Sequence, residues 1–200
     1  DWQTALIPLY LRTLYAWDRL FERTRTLFTI HNLGYQGVFT SQILRDIGLA
    51  DHAGLLYQED LAAGVINFLK TGLLYAGMLS TVSPTYAREI QTEAHGFGLH
   101  PILSARWESL VGILNGVDYH EWDPATDTKI AATYTRKSLP DKLKNKEALL
   151  SAMGLPYDAE APVFGIVSRL AHQKGFELIG EALPGVLQRH PARLVVLGSG

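Results

Sequence analysis

Arg169 and Lys174 lie in the stretch Ser168-Arg169-Leu170-Ala171-His172-Gln173-Lys174-Gly175, between an apolar run (Val163 to Val167) and an amphipathic one that opens at Phe176. A guanidinium and an ammonium placed in the loop and helix entrance after a strand can reach the same anion. The free N–H groups and dipole of the helix amino terminus add to that attraction. The chemistry that suits the pair is binding of a diphosphate and neutralisation of a departing phosphate. Loop cations are also common as plain solvated charges. A second group lies in Thr29-Ile30-His31-Asn32-Leu33-Gly34-Tyr35-Gln36-Gly37, where a β-rich stretch from Arg25 to Ile30 stops at a Gly-punctuated turn carrying an imidazole and amides. In open α/β sheets the ligand crevice lies outside the carboxyl ends of parallel strands, so His31 and Asn32 would project where small molecules bind. A lone His after a strand also serves as a structural hydrogen-bonder. Asn115, in the turn dipeptide Asn115-Gly116, can be a turn residue and a ligand-binding amide at once, while Gly198-x-Gly200 is by itself a weak phosphate-loop signal.

The elements that must position these residues can be read from the pattern. Residues 3 to 16 repeat apolar residues at helical spacing, and Thr26 to Ile30 reads as a buried strand ending in the His31 turn. The apolar stretch from Leu61 to Met78 is interrupted by Asn67, Lys70 and glycines, so it is expected to be a buried helix and not a membrane span. Leu79 to Val82 reads as a short strand, followed by Ser83 as helix cap and Pro84 at the first helical position. Val111 to Leu114 is a further strand, and a helix from Asp141 to Met153 should end at Gly154. Beyond Pro156 and Pro162, the segments Val163 to Val167, Phe176 to Leu187 and Leu194 to Leu197 read as one βαβ unit, which puts a domain boundary near residues 155 to 161.

Composition narrows the function classes. With 200 residues and 47% hydrophobic content the chain can bury a substantial core, and a formal charge of −2 with no Lys/Arg run argues against a nucleic-acid partner. Zero cysteines exclude disulfides and thiolate metal sites, which fits a cytoplasmic enzyme. The seven histidines show no zinc-type spacing and there is no Asp-x-Asp pair to hold a divalent ion, so no metal and no cofactor is expected. No signal peptide is visible, and no membrane partner is expected.

His31-Asn32-Leu33-Gly34-Tyr35-Gln36-Gly37 resembles the signature of bacterial glycogen synthases and plant starch synthases, which transfer glucose from ADP-glucose to an α-1,4-glucan. Asp1-Trp2-Gln3, Thr81-Val82-Ser83-Pro84-Thr85-Tyr86-Ala87-Arg88-Glu89-Ile90, Leu114-Asn115-Gly116-Val117-Asp118 and Ser168 to Gly175 resemble further segments of that family, in the same order. The resemblance implies an α/β fold of the GT-B type with two Rossmann-like domains, both incomplete in this chain. Residues 1–157 would be the C-terminal part of the acceptor-side, starch synthase catalytic domain. Residues 158–200 would be the start of the nucleotide-sugar-binding domain. An amino-terminal Lys-x-Gly-Gly-Leu loop and a downstream acidic donor-site residue of the family fall outside this interior section, which is expected to be inactive by itself.

The resemblance also assigns roles. His31 and Asp1 would lie by the reacting glucosyl ring as catalytic residues, although a helix cap is an alternative reading of Asp1. Asn32 and Asn115 would hold sugar hydroxyls. Arg169 and Lys174, with Gly198 and Gly200, would hold the donor ADP-glucose and stabilise the leaving ADP. Transfer would retain the α configuration. No carboxylate in these motifs offers itself as a nucleophile for a two-step route, so same-face attack assisted by the leaving phosphate is expected. The partners implied are ADP-glucose and a glycogen acceptor. A related transferase using another nucleotide-sugar, and a non-catalytic glucan-binding or regulatory relative of the same fold, are the alternatives.

Overall fold

The computed structural model describes residues 1–200, which form two compact units, Asp1–Gly116 and Val117–Gly200. The first unit is built on a parallel sheet. Strand β1 (Leu27–Ile30) pairs with a strand at Met78–Thr81 in the register Leu27↔Met78 to Ile30↔Thr81. That central strand pairs on its other side with Leu110–Gly112, from Leu79↔Leu110 to Thr81↔Gly112. Leu79, Ser80 and Thr81 are all buried, the near-continuous burial of a parallel strand covered on both faces. The buried hydroxyls are satisfied within the sheet, since Thr81 Oγ1 donates to Ile30 O at 2.7 Å and the hydroxyls of Thr29 and Ser80 bond each other at 2.8 Å.

Helix α1 (Ile7–Arg12) follows a 3-10 turn at Trp2–Thr4 and is shorter than the helix expected over residues 3 to 16. It ends at Thr13, whose backbone leaves the helical region (φ −126°, ψ −78°). The stretch from Leu61 to Met78 departs from the single buried helix that its hydrophobicity suggests. After strand β2 (Val38–Thr40) and helix α2 (Gln58–Ala62), the chain turns at Gly64 (φ 74°) into strand β3 (Val65–Asn67), antiparallel to β2, and only then into helix α3 (Phe68–Tyr75). Gly64 adopts the left-handed conformation that stops α2, and the β-branched Val65 and Ile66 suit a strand. Asn67 then caps α3, accepting from Lys70 N at 3.0 Å.

The strand at Met78–Thr81 is β4. Ser83 caps helix α4 (Pro84–Glu89) by accepting from Tyr86 N at 2.9 Å, with Pro84 in the first turn as its sequence indicates. Helix α5 (His100–Ala105) leads to β5 (Leu110–Gly112). The core gathers Leu9, Ile30, Leu33, Leu69, Leu73, Leu79, Ile90, Leu99 and Leu103, all fully buried.

In the second unit, helix α6 (Lys142–Ala152) precedes β6 (Val163–Val167), α7 (Phe176–Arg189) and β7 (Arg193–Leu197), the last strand parallel to β6 from Val163↔Arg193 to Val167↔Leu197. This is the βαβ unit read from the sequence. The compact units divide at Gly116/Val117, upstream of the boundary expected at 157/158. Hydrogen bonds account for where residues 117–157 group. Asn145 on α6 exchanges two bonds with Ala132 (2.7 and 2.8 Å), and Lys146 Nζ donates to Ala159 O and Ala161 O (2.7 and 2.6 Å), tying α6 both to the preceding loop and to the entrance of β6. No helix is long and apolar enough to cross a membrane.

Candidate active site

The strand order β1-β4-β5, all parallel, brings the loops after these strands to one end of the sheet. His31 and Asn32 follow β1, Ser83 follows β4 and Asn115 follows β5. His31 is exposed, and its main-chain N–H donates to Asp1 Oδ1 at 2.8 Å, while the main-chain nitrogen of Asp1 donates to Thr29 O at 2.8 Å. Asp1 makes no side-chain cap of the turn that follows it. It instead brackets the end of β1, so the helix-cap reading gives way to direct contact between the two residues expected to be catalytic. Asn32 folds its Oδ1 back onto Gly34 N at 3.0 Å, an Asx turn that sharpens the exit from the strand. Asn115 is exposed. The pairing of β5 runs on past its end, because Ile113 N donates to Thr81 O at 2.8 Å.

Most of the remaining signature is architectural. The Leu33 side chain is fully buried, and its N–H donates to Tyr86 Oη at 3.1 Å. Gln36 donates to Phe97 O at 2.9 Å and accepts from Asn67 Nδ2 at 2.5 Å. The carbonyls of Gln36 and Gly37 receive the first N–H groups of α3, from Leu69 at 2.9 Å and Phe68 at 3.1 Å. Gly37 has φ 63°, and a Cβ there would lie 2.6 Å from the Trp2 indole. The loop is thus braced by α3, by α4 and by the first turn, and presents His31 from a fixed frame. Tyr86 and Asn67 are supports of this loop that the sequence does not reveal. The Ser83-Pro84 cap was visible, but the long-range partners Tyr86 and Asn67 carried no local signal.

In the second unit, Arg169 and Lys174 sit between β6 and α7, both exposed and neither with a side-chain hydrogen bond or ion pair. Lys174 closes a 3-10 turn, and Gly175 (φ 71°) makes the left-handed step into α7. The carboxylate in the first turn of α7, Glu177, is engaged by His172 Nδ1 at 2.9 Å. That hydrogen bond, helped by one from the backbone, holds the Glu177 carboxyl below the usual range for a glutamate. Because the folded-state value is depressed, the pair's contribution to stability is complete above the value of an unfolded glutamate and is lost as pH falls through the folded one. An NMR titration of the Glu177 carboxyl should show a depressed midpoint that returns toward the ordinary value in His172→Ala; an unchanged midpoint would rule out the contact in solution.

Gly198 and Gly200 follow β7, where the chain runs beside the residues after β6. Ser168 N donates to Leu197 O at 3.1 Å and Leu170 N to Ser199 O at 2.9 Å. A Cβ on Gly198 would lie 2.0 Å from Ser168 O, and one on Gly200 2.6 Å from Leu170 O. Both glycines are therefore required by the close approach of two backbones. No group of three or more His, Cys, Asp or Glu side chains is arranged to hold a metal ion.

Comparison with known proteins places this geometry. The family model of the starch synthase catalytic domain matches residues 1–105. The chain belongs to that family. It is 50% identical over 200 residues to the glycogen synthase of Koribacter versatilis and 45% identical over 202 residues to that of Thermosipho melanesiensis, in each case with 100% of this chain aligned to 41% of the relative. Among solved structures it is similar to the catalytic domain of starch synthase IV from Arabidopsis thaliana bound to ADP and acarbose, at 35% identity and a TM-score of 0.85, covering 100% of this chain and 41% of that one. The α/β units with their parallel sheets are accordingly those of a GT-B glycosyltransferase fold. The chain spans about two fifths of the length of the curated relatives it matches, as the 41% coverage states.

Proposed function

We propose that this chain is part of a cytoplasmic glycogen synthase, a retaining hexosyltransferase that moves glucose from ADP-glucose to the 4-hydroxyl at the non-reducing end of an α-1,4-glucan. The observation that carries this reading is the pair Arg169 and Lys174, exposed and unpartnered at the entrance of α7, while the nearest acid in that helix is occupied by His172. The glycogen synthase relatives and the ADP in the starch synthase neighbour support it. In this reading the domain up to residue 157 handles the acceptor and the glucosyl ring, and the one from 158 binds the nucleotide-sugar.

The two cations neutralise the diphosphate, aided by the main-chain amides near Gly198 and Gly200, and stabilise ADP as the anomeric C–O bond breaks. The leaving phosphate oxygen takes the proton of the acceptor hydroxyl on the same face, so the α configuration is kept and no carboxylate nucleophile is needed. Asn32 and Asn115 hold sugar hydroxyls, while Asp1 and His31 stand by the glucosyl ring, where positive charge builds. No metal ion takes part.

The test is glucose transfer by the full-length protein, with ADP-glucose or UDP-glucose as donor, glycogen as primer and EDTA present. ADP-glucose turnover in EDTA is the expected result; binding of glycogen without turnover would favour a non-catalytic relative. In the same assay His31→Ala should lower kcat at least tenfold with a modest change in the KM for ADP-glucose, because the imidazole acts on the transition state. A raised KM with kcat intact would reassign His31 to ground-state binding.

A further inference from the structure

The amino-terminal edge of the parallel sheet, opposite the end that carries His31, holds a cleft of about 750 Å³ lined by Arg12, Glu22, Arg23, Arg25, Gly77 and Met78 among others. A volume of this order is what small-molecule sites occupy. Arg12 comes from the last turn of α1, Arg23 and Arg25 from the segment entering β1, and Gly77 and Met78 from the entrance to β4. That entrance is rigid, because Gly77 N donates to Thr26 Oγ1 at 2.8 Å and Met78 N to Thr26 O at 3.0 Å.

The charge of the cleft is what sets it apart. Arg12, Arg23 and Arg25 are exposed and none makes an ion pair or side-chain hydrogen bond, while the acid in the lining, Glu22, is also unpaired. A fourth guanidinium is fixed beside them: Arg106 donates to Leu73 O and, at 3.0 Å, to Gly77 O, itself part of the cleft wall. Burial lowers the pKa of Arg106, and the positive charge of Arg12 adds to that shift. Like charges gathered at one cleft in a chain of net charge −2 repel one another, and an anion between them removes that repulsion. Arginine is also the side chain whose planar fork fits phosphate oxygens two at a time.

We propose that this cleft binds a small phosphate-bearing molecule, as a site separate from the glucosyl and diphosphate residues described above. The strand β1 separates it from His31 by about 10 Å of sheet. Arg12, Arg23 and Arg25 hold the phosphate, and Arg106 supplies fixed positive potential behind the wall.

Pyrophosphate titrated into the whole chain at constant ionic strength, followed by the backbone NMR signals of Thr26 and Gly77, tests this. Saturable shifts of those signals are expected. Arg23→Gln/Arg25→Gln should weaken the affinity at least tenfold with the fold intact by circular dichroism, and Glu22→Gln should strengthen it. Arg169→Ala/Lys174→Ala should leave these shifts unchanged, which separates this site from the proposed donor residues. Competition by adenosine monophosphate or by a hexose monophosphate then distinguishes a nucleotide from a sugar phosphate as the source of the anion. Absence of saturable shifts at Thr26 and Gly77, or an affinity unaltered in Arg23→Gln/Arg25→Gln, would overturn the proposal.

Discussion

Replacing both Arg169 and Lys174 with Ala in the full-length protein is expected to weaken ADP binding by about a hundredfold or more and to lower the glucose-transfer rate at least as much. Charge-assisted hydrogen bonds to phosphate contribute roughly 1.5 to 3 kcal/mol each, so either single replacement should cost about tenfold or more. Both side chains are exposed and make no hydrogen bond or ion pair within the fold, so the loss should come without loss of stability. Lys137→Ala, another exposed lysine, serves as the comparison and should bind ADP as the parent does. Calorimetric titration of ADP decides the matter. Affinity unchanged in both single variants would remove these residues from the donor site and with them the main support for the proposed reaction.

The largest expected effect on stability comes from Gly112→Ala. A Cβ at Gly112 would lie 2.2 Å from Ser83 O and 2.4 Å from Pro84 Cα, backbone atoms that cannot rotate away. The end of β5 would have to withdraw from β4, breaking the Thr81↔Gly112 pairing and the 2.8 Å bond from Ile113 N to Thr81 O. Overpacking of this severity costs about 3 kcal/mol or more, a fall in Tm of roughly 6 °C or greater for a chain of this size. Gly116→Ala, where a Cβ meets nothing within 4 Å, should leave Tm within the error of the parent. Equal melting temperatures for the two variants would show that β5 does not run under the Ser83-Pro84 turn. Because Asn115 follows β5, Gly112→Ala should also impair the sugar binding proposed for Asn115.

The parts of this fold that were legible in the sequence are those whose determinants are local. The strand–helix–strand of Val163 to Leu197, the Ser83 cap with Pro84 behind it and the stop at Gly154 each rest on neighbouring residues, and each is found. The stretch from Leu61 to Met78 is not legible in this way, because hydrophobicity alone does not distinguish a buried helix from a buried strand, and β3 exists by pairing with β2, far away in the chain. The grouping of residues 117–157 depends on Asn145 and Lys146 reaching carbonyls 13 to 15 positions away, which no local pattern announces. At the candidate site, residue types single out His31, Arg169 and Lys174 as candidates. The bond from His31 N to Asp1 spans 30 positions and no spacing announces it.

The paired loops after β6 and β7 bear on the thermodynamics of ligand binding. Arg169 is flanked by Ser168 and Leu170, whose N–H groups are both bonded to the chain leaving β7, and its own carbonyl accepts from Ala171 N at 2.9 Å. The main chain at Arg169 is therefore already ordered before any anion arrives. The entropy lost on binding is confined there to side-chain torsions, up to about 2 kcal/mol for an arginine, without the further 1–2 kcal/mol per residue that ordering a mobile loop would add. Gly198 and Gly200 make that saving available simply by lacking a side chain, because any Cβ there would push the two backbones apart. In the donor role proposed for Arg169, their service is thus entropic, and it is exerted on the opposite strand from the one that carries the charge.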